Sequence, residues 1–204
     1  VATDDKRIRK EVEGFGGHVI MTSPDHKSGT DRCAEAVTLY QESCNEPVDV
    51  VINIQGDEPF LDPAILSHLS KSFIDPEIRI STLAKKISSK DDIFDPNLTK
   101  VVIDKNSMAL YFSRSPIPYV INADKPKWAG IHTFYKHFGI YAFRKEVLME
   151  LTQLPFSSLE QAESLEQNRW LENGYSIHVE ETEHESISID TPEDLDKINN
   201  MNLL

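Results

Sequence analysis

The chain has 204 residues, 39% of them hydrophobic, and its 34 Asp and Glu outnumber 21 Lys and Arg to give a net charge of -13. That composition suits one globular domain with a sizeable core, and the charge disfavours nonspecific attraction to nucleic acid or an anionic membrane. No stretch approaches the roughly 18 continuous apolar residues of a membrane helix, and Cys33 and Cys44 make no disulfide framework. A cytoplasmic protein is the expectation by default. In chain order, Ile8, Val12 and Phe15 recur at helical spacing, Gly16-Gly17 ends that helix, and "HVIMT" reads as a strand. Cys33, Val37, Tyr40 and Cys44 then trace one apolar face of a helix entered through "SGTDR". Val48 to Gln55 reads as a strand covered on both faces. A helix through Ile65, Leu66, Leu69 and Phe73 leads to the strand "IRISTLAKKI".

This alternation predicts a doubly wound α/β domain over residues 1–204. After Asp95 it breaks down: "KVVIDKNSMALYFSRS" reads as two strands joined by a turn at 104–106. Residues 115–132 are proline-rich and aperiodic, which predicts a surface loop or arm. "HFGIYAFRK" is a strand, Leu159 to Leu171 a helix, "YSIHVEE" a strand, and "TPEDLDKINNM" a terminal helix begun by Thr191 and Pro192.

Chemistry concentrates where strands end. "VVINIQGDEPFLDP" runs from buried-looking β-branched residues into Gln55, Gly56, Asp57 and Glu58. In open α/β sheets ligands bind beyond such carboxyl ends, although the same residues also suit a strand-to-helix turn. "DHKSGTDR" feeds a helix amino end, where Ser28, Gly29 and Thr30 suit either capping or contact with a base or phosphate. Asp190 precedes the terminal helix. Read alone it is a cap; paired with Asp57 it makes the sparse oxygen site that Mg²⁺ uses together with phosphates. Glu163, Glu166 and Gln167 fall on one predicted helix face, either solvated or accepting from hydroxyls. His137 and Tyr141 share one face of a strand, and Arg114 suits a substrate carboxylate or a surface ion pair. An acidic chain binds polyphosphates through a metal and a few local cations, so a nucleotide partner stays open.

In this order, "VATDD", "HKSGTDR", "NIQGDEP", "YFSRSPIP", "HFGIY", "LEQAESLEQNRWLENG" and "IDTPEDL" resemble the CMP-Kdo synthetases, the 3-deoxy-manno-octulosonate cytidylyltransferases. The resemblance spans essentially the whole chain. It implies a Rossmann-like nucleotide-diphospho-sugar transferase fold with a mostly parallel sheet and helices on both faces, a homodimer, and transfer of CMP from CTP to Kdo for lipopolysaccharide synthesis. By that resemblance Asp57 and Asp190 are the Mg²⁺ ligands. Gln55, Arg114, His137, Tyr141, Glu166 and Gln167 form the sugar pocket, while Ser28, Gly29 and Thr30 border the nucleotide together with Asp57. The family's glycine- and lysine-bearing phosphate loop is not found ahead of Val1, so an amino-terminally truncated chain of doubtful activity is expected. Asn168 and Ser188 stand where the family usually has an aliphatic residue and a glycine. Two other readings are a cytidylyltransferase for another acidic sugar and a non-catalytic fragment of the family.

Overall fold

The computed structural model describes residues 1–185 and 189. Strands β1 (Ala2–Thr3) and β2 (Ile20–Met21) pair in parallel around helix α1 (Lys6–Gly14), which Asp5 caps by accepting the Arg7 amide. Of the expected α1 stripe Val12 alone is buried, and Ile8 and Phe15 face outward. Nine residues give this helix one inward turn, and that turn meets Gly17, where a Cβ would come within 2.6 Å of Val12 Cγ1.

Helix α2 (Gly29–Cys44) starts at Ser28, whose hydroxyl accepts the Asp31 amide at 3.1 Å. Its buried face is Thr30, Ala34 and Val37; Tyr40 and Cys44, expected on that face, lie at its exposed far end. Strand β3 (Val50–Asn53) follows, then α3 (Pro63–Ser72), entered through the Asp62 cap with proline in its first turn. Next come β4 (Ile80–Lys86), the short α4 (Lys90–Phe94), and the hairpin β5 (Lys100–Ile103) and β6 (Ala109–Ser113). Asp104 closes that hairpin by accepting the amides of Asn106 and Met108. Strand β7 (Tyr135–Arg144), helices α5 (Lys145–Leu151), α6 (Ser158–Glu163) and α7 (Glu166–Glu172), and strand β8 (His178–Glu181) complete the described chain.

The main sheet is organised around β7. β4 pairs along its length on one side, while β5 near its start and β3 near its end share the other. β3, β4 and β5 all oppose β7, and β8 lies parallel to β4, so four strands run one way and β6 and β7 the other. Helices cover both faces. Ala34 and Val37 of α2, Leu148 of α5 and Trp170 of α7 pack with Ile80, Tyr141 and Phe143 on one side; Ile65, Leu69 and Phe73 of α3 pack with Leu83, Phe138 and Ile140 on the other.

Four further expectations change. Residues 159–171 form two helices, because Ser164 adopts a left-handed φ of 52° that no single helix accommodates. Glu163 therefore leaves the face of Glu166 and Gln167, and accepts from the Ser113 hydroxyl at 2.6 Å and the Arg114 amide at 3.0 Å. The arm at 115–132 is not wholly superficial: a 3₁₀ turn at Lys125–Gly130 buries Trp128 against Ile93 and Phe134, and its indole N–H donates to the Ala123 carbonyl. Finally, Val50, Val51 and Ile52 are half-buried rather than covered, since β3 pairs among the described strands with β7 alone and its other edge faces an apolar groove shared with Ala2 and Ile20. The expected terminal helix lies outside the described residues, as does Asp190.

Candidate active site

The ends of β3, α2, α7 and the start of β7 enclose a cleft of about 410 Å³. Its position beyond the carboxyl end of β3 is where α/β sheets place ligands. Gln55, Asp57, Thr30, His137, Tyr141, Glu166 and Gln167 all line it, so residues far apart in sequence meet at one site.

Gly29 lets the start of α2 come close to the side chains at the end of β3. A Cβ there would stand 3.3 Å from Gln55 Nε2 and 3.4 Å from Asn53 Nδ2, so those amide ends would have to give by a few tenths of an ångström. Ser28 spends its oxygen on the α2 cap, and Thr30 donates to Glu166 Oε2 at 2.9 Å. Burial raises the Glu166 carboxyl above its usual range, offset in part by the Thr30 and Ser28 hydroxyls. Glu166 is thus held as an acceptor in a site of reduced polarity.

His137 and Tyr141 are four residues apart on β7, a distance of about 13 Å in a regular strand, yet their ring centroids lie 5.2 Å apart. The cause is a bulge: Thr82 of β4 pairs with Tyr141 and the next residue, Leu83, with Phe138, so Gly139 and Ile140 have no partner on β4. Tyr141 also stacks edge-on against Trp170 of α7. Its hydroxyl is buried without a hydrogen-bond partner among the described residues. Burial lowers the His137 pKa from 6.5 to about 3, which keeps the imidazole neutral.

Asp57 brings a carboxylate to the end of β3. Its Oδ1 is buried with no hydrogen-bond partner among the described residues, and its carbonyl accepts the Ile189 amide at 2.9 Å, which brings the residue preceding Asp190 to this strand end. Among the described residues no group of three or more His, Cys, Asp and Glu side chains forms a complete metal cage. An orphaned carboxylate oxygen fits the sparser arrangement in which substrate oxygens complete the shell of a hard cation.

Arg114 does not line the cleft. Its Nε donates to the Glu163 carbonyl at 2.9 Å and its Nη1 to the Pro96 carbonyl at 3.2 Å. Lys100, fully buried at the start of β5, donates to the carbonyls of Asp95 and Leu98 at 2.7 and 2.5 Å. Together these two cations clamp the 95–99 loop, which carries Asn97, Leu98 and Thr99 into the cleft wall. Sequence reading missed Asn53, Asn97 and Lys136 of that wall: Asn53 lay inside the predicted strand 48–55, and Asn97 lay between predicted elements.

The fold and the cleft define a nucleotidyltransferase of the α/β class. A family model described as cytidylyltransferase matches residues 1–200. The chain is 55% identical over 201 residues to the 3-deoxy-manno-octulosonate cytidylyltransferase of Parabacteroides distasonis, covering 97% of this chain and 78% of that one. It is 56% identical over 198 residues to the enzyme of the same name from Bacteroides thetaiotaomicron, covering 96% and 78%. A solved CMP:2-keto-3-deoxy-manno-octonic acid synthetase complexed with CTP superimposes with a TM-score of 0.86 at 41% identity, over 98% of this chain and 78% of that one. The chain belongs to the 3-deoxy-manno-octulosonate cytidylyltransferase family.

Proposed function

We propose that this protein transfers the cytidylyl group of CTP to the anomeric hydroxyl of Kdo, giving CMP-Kdo and pyrophosphate, as a precursor step of lipopolysaccharide synthesis in the cytoplasm. One observation carries the reading beyond family membership: Asp57, one of whose carboxylate oxygens has no hydrogen-bond partner among the described residues, lines the same cleft as the acceptors Glu166 and Gln167, so a metal–phosphate end and a hydroxyl-binding end share a single space. In the reaction the anomeric oxygen bonds to the α-phosphorus as the bond to the pyrophosphate oxygen breaks, and the hydroxyl proton is released. No protein nucleophile is needed, so the work of the side chains is positioning and electrostatics.

Mg²⁺ fits the donor set. Asp57 would hold it, and Asp190 would join by the family resemblance; when bound, the ion neutralises phosphate charge and lowers the pKa of the attacking hydroxyl. Asp57 and Glu166 face the cleft against Lys136 as the one cation among its described lining residues. That imbalance repels a bare triphosphate and favours a metal complex. Glu166 and Gln167 accept and donate to sugar hydroxyls, Gln55 reaches the same space from β3, and the Ser28–Thr30 turn borders the nucleoside. Arg114 supports the sugar side through the loop it clamps.

A homodimer is part of the reading. Leu110 on β6 and Tyr119, Ile121 and Ile131 in the arm are 59–81% exposed, an apolar surface suited to a second copy. Light scattering on the native protein and on Ile121→Asp tests it: a dimer that the substitution converts to monomer supports the arm as interface. The function itself is tested by an acceptor panel. The full-length enzyme, CTP and Mg²⁺ are offered Kdo, its 8-amino analogue and a sialic acid; CMP transfer chiefly to Kdo supports the proposal, and preference for another sugar overturns the substrate while leaving the chemistry.

A further inference from the structure

Thr82 sits under the cleft with no exposed surface, and its hydroxyl oxygen meets three polar atoms. They are the Ile140 carbonyl at 2.8 Å, the Phe138 carbonyl at 3.3 Å and His137 Nε2 at 3.0 Å. A hydroxyl has one proton to give and two lone pairs to receive with. Carbonyl oxygens cannot donate, and the β7 bulge has moved Ile140 out of register with β4, so the Thr82 proton goes to the Ile140 carbonyl. The remaining contact is a hydrogen bond only when Nε2 carries the imidazole proton. The reverse arrangement, with Thr82 donating to Nε2, takes this donor away from both bulge carbonyls in a place closed to water.

We infer that Thr82 is a positioning residue: it locks His137 in the Nε2–H tautomer, so that Nδ1 faces the cleft as a hydrogen-bond acceptor and selects a substrate hydroxyl at that point. The second ring nitrogen is free for this, since none of the described residues hydrogen-bonds Nδ1 while the ring lines the cleft. Burial lowers the His137 pKa to about 3, which favours the neutral ring over an imidazolium near neutral pH. Beside it stands the Tyr141 hydroxyl, unpartnered among the described residues, a group that can both donate and accept. The wall therefore offers one pure acceptor and one amphoteric group. A sugar acid that turned its carboxylate toward His137 would set lone pair against lone pair, whereas a hydroxyl satisfies Nδ1, so the tautomer helps orient the acid away from this wall. The same hydroxyl of Thr82 ties the bulge that brings the two rings together, which links specificity to the sheet irregularity.

The tautomer does not depend on the proposed function; the substrate consequence rests on it. The test is nitrogen NMR of the full-length protein labelled at histidine, with steady-state kinetics on the same samples. Native protein is expected to show a protonated Nε2 and a bare Nδ1 for His137, with the Nδ1 signal moving when Kdo is added. Thr82→Val, nearly the same shape without the hydroxyl, is expected to populate the Nδ1–H form and raise the KM for Kdo about tenfold, the scale of one lost hydrogen bond, with the KM for CTP unchanged. Thr82→Ser is expected to restore both. Native His137 protonated on Nδ1 would overturn the inference, as would a Thr82→Val protein with an unchanged tautomer. If Thr82→Val does not fold, the native spectrum and Thr82→Ser decide the matter. The expected tautomer in a protein inactive toward Kdo supports the positioning and counts against the function alone.

Discussion

Strands β3 and β4 run in the same direction toward the cleft, yet they are built differently. β4 is hydrogen-bonded on both edges, by β7 and β8, and its first five residues are buried. β3 is paired on one edge among the described strands, is half-buried over most of its length, and runs out into Gln55 and Asp57 with an orphaned oxygen. The difference separates two duties. β4 and the residues it carries hold the site in shape, whereas the end of β3, on the proposed function, is the part that meets the ligand. A lesion in β4 should appear first as lost stability, and a lesion at the end of β3 as lost chemistry in an intact fold.

The sharpest way to break that contrast is Asp57→Asn. Turnover is expected to fall by about a hundredfold or more, since metal-borne charge stabilisation is worth several kcal/mol. Its melting temperature should stay within error, because no described fold contact uses the Asp57 Oδ1 atom. Retained activity at saturating Mg²⁺ would assign the oxygen another purpose. On the β4 side, Leu83 is 1% exposed and packs against α3 and Phe138. Leu83→Ala should cost about 2–5 kcal/mol in denaturant unfolding, with the KM values of the surviving folded fraction little changed. A smaller loss would mean that the α3 face repacks.

Glu166→Ala should raise the KM for Kdo about tenfold and the KM for CTP far less, the size of one unpaired buried hydroxyl at about 1–3 kcal/mol. The smallest effect expected is on pH dependence. Burial raises the folded-state pKa of Glu166 above its unfolded value near 4.5, so the folded chain binds the extra proton between the two. The Glu166 contribution to stability therefore declines as pH rises through that window. Glu166→Gln should flatten this part of the stability profile, measured by denaturant titration at several pH values; an unaltered profile would show that solvent reaches the carboxylate.

Much of the scaffold was legible because periodicity is local. The stripe of α2, the apolar run of β3 and the hairpin turn at Asp104 each announce themselves within a few residues. What could not be read depends on tertiary context. A left-handed serine at 164 has no signature comparable to glycine, so one predicted helix became two and Glu163 moved to β6. Gly139 hints at a bulge, but nothing nearby says that it draws His137 onto Tyr141 or recruits Thr82 from another strand. Trp128 looked like part of an exposed arm because its partners Ile93 and Phe134 lie on either side of that arm. Gln55 and Asp57 were picked out at a strand end and Glu166 and Gln167 by helical spacing, and all four line the cleft, while the loop-clamping use of Arg114 required the fold.

The central claim, that the end of β3 is the metal-bearing edge of the cleft, is tested most directly by binding. Mn²⁺ is titrated into the full-length protein with CTP present, followed by electron paramagnetic resonance, for the native form and for Asp57→Asn. The account predicts a CTP-dependent Mn²⁺ site that weakens at least tenfold in Asp57→Asn while Leu83→Ala, once folded, retains it. Equal Mn²⁺ affinity in the native and Asp57→Asn proteins would contradict it.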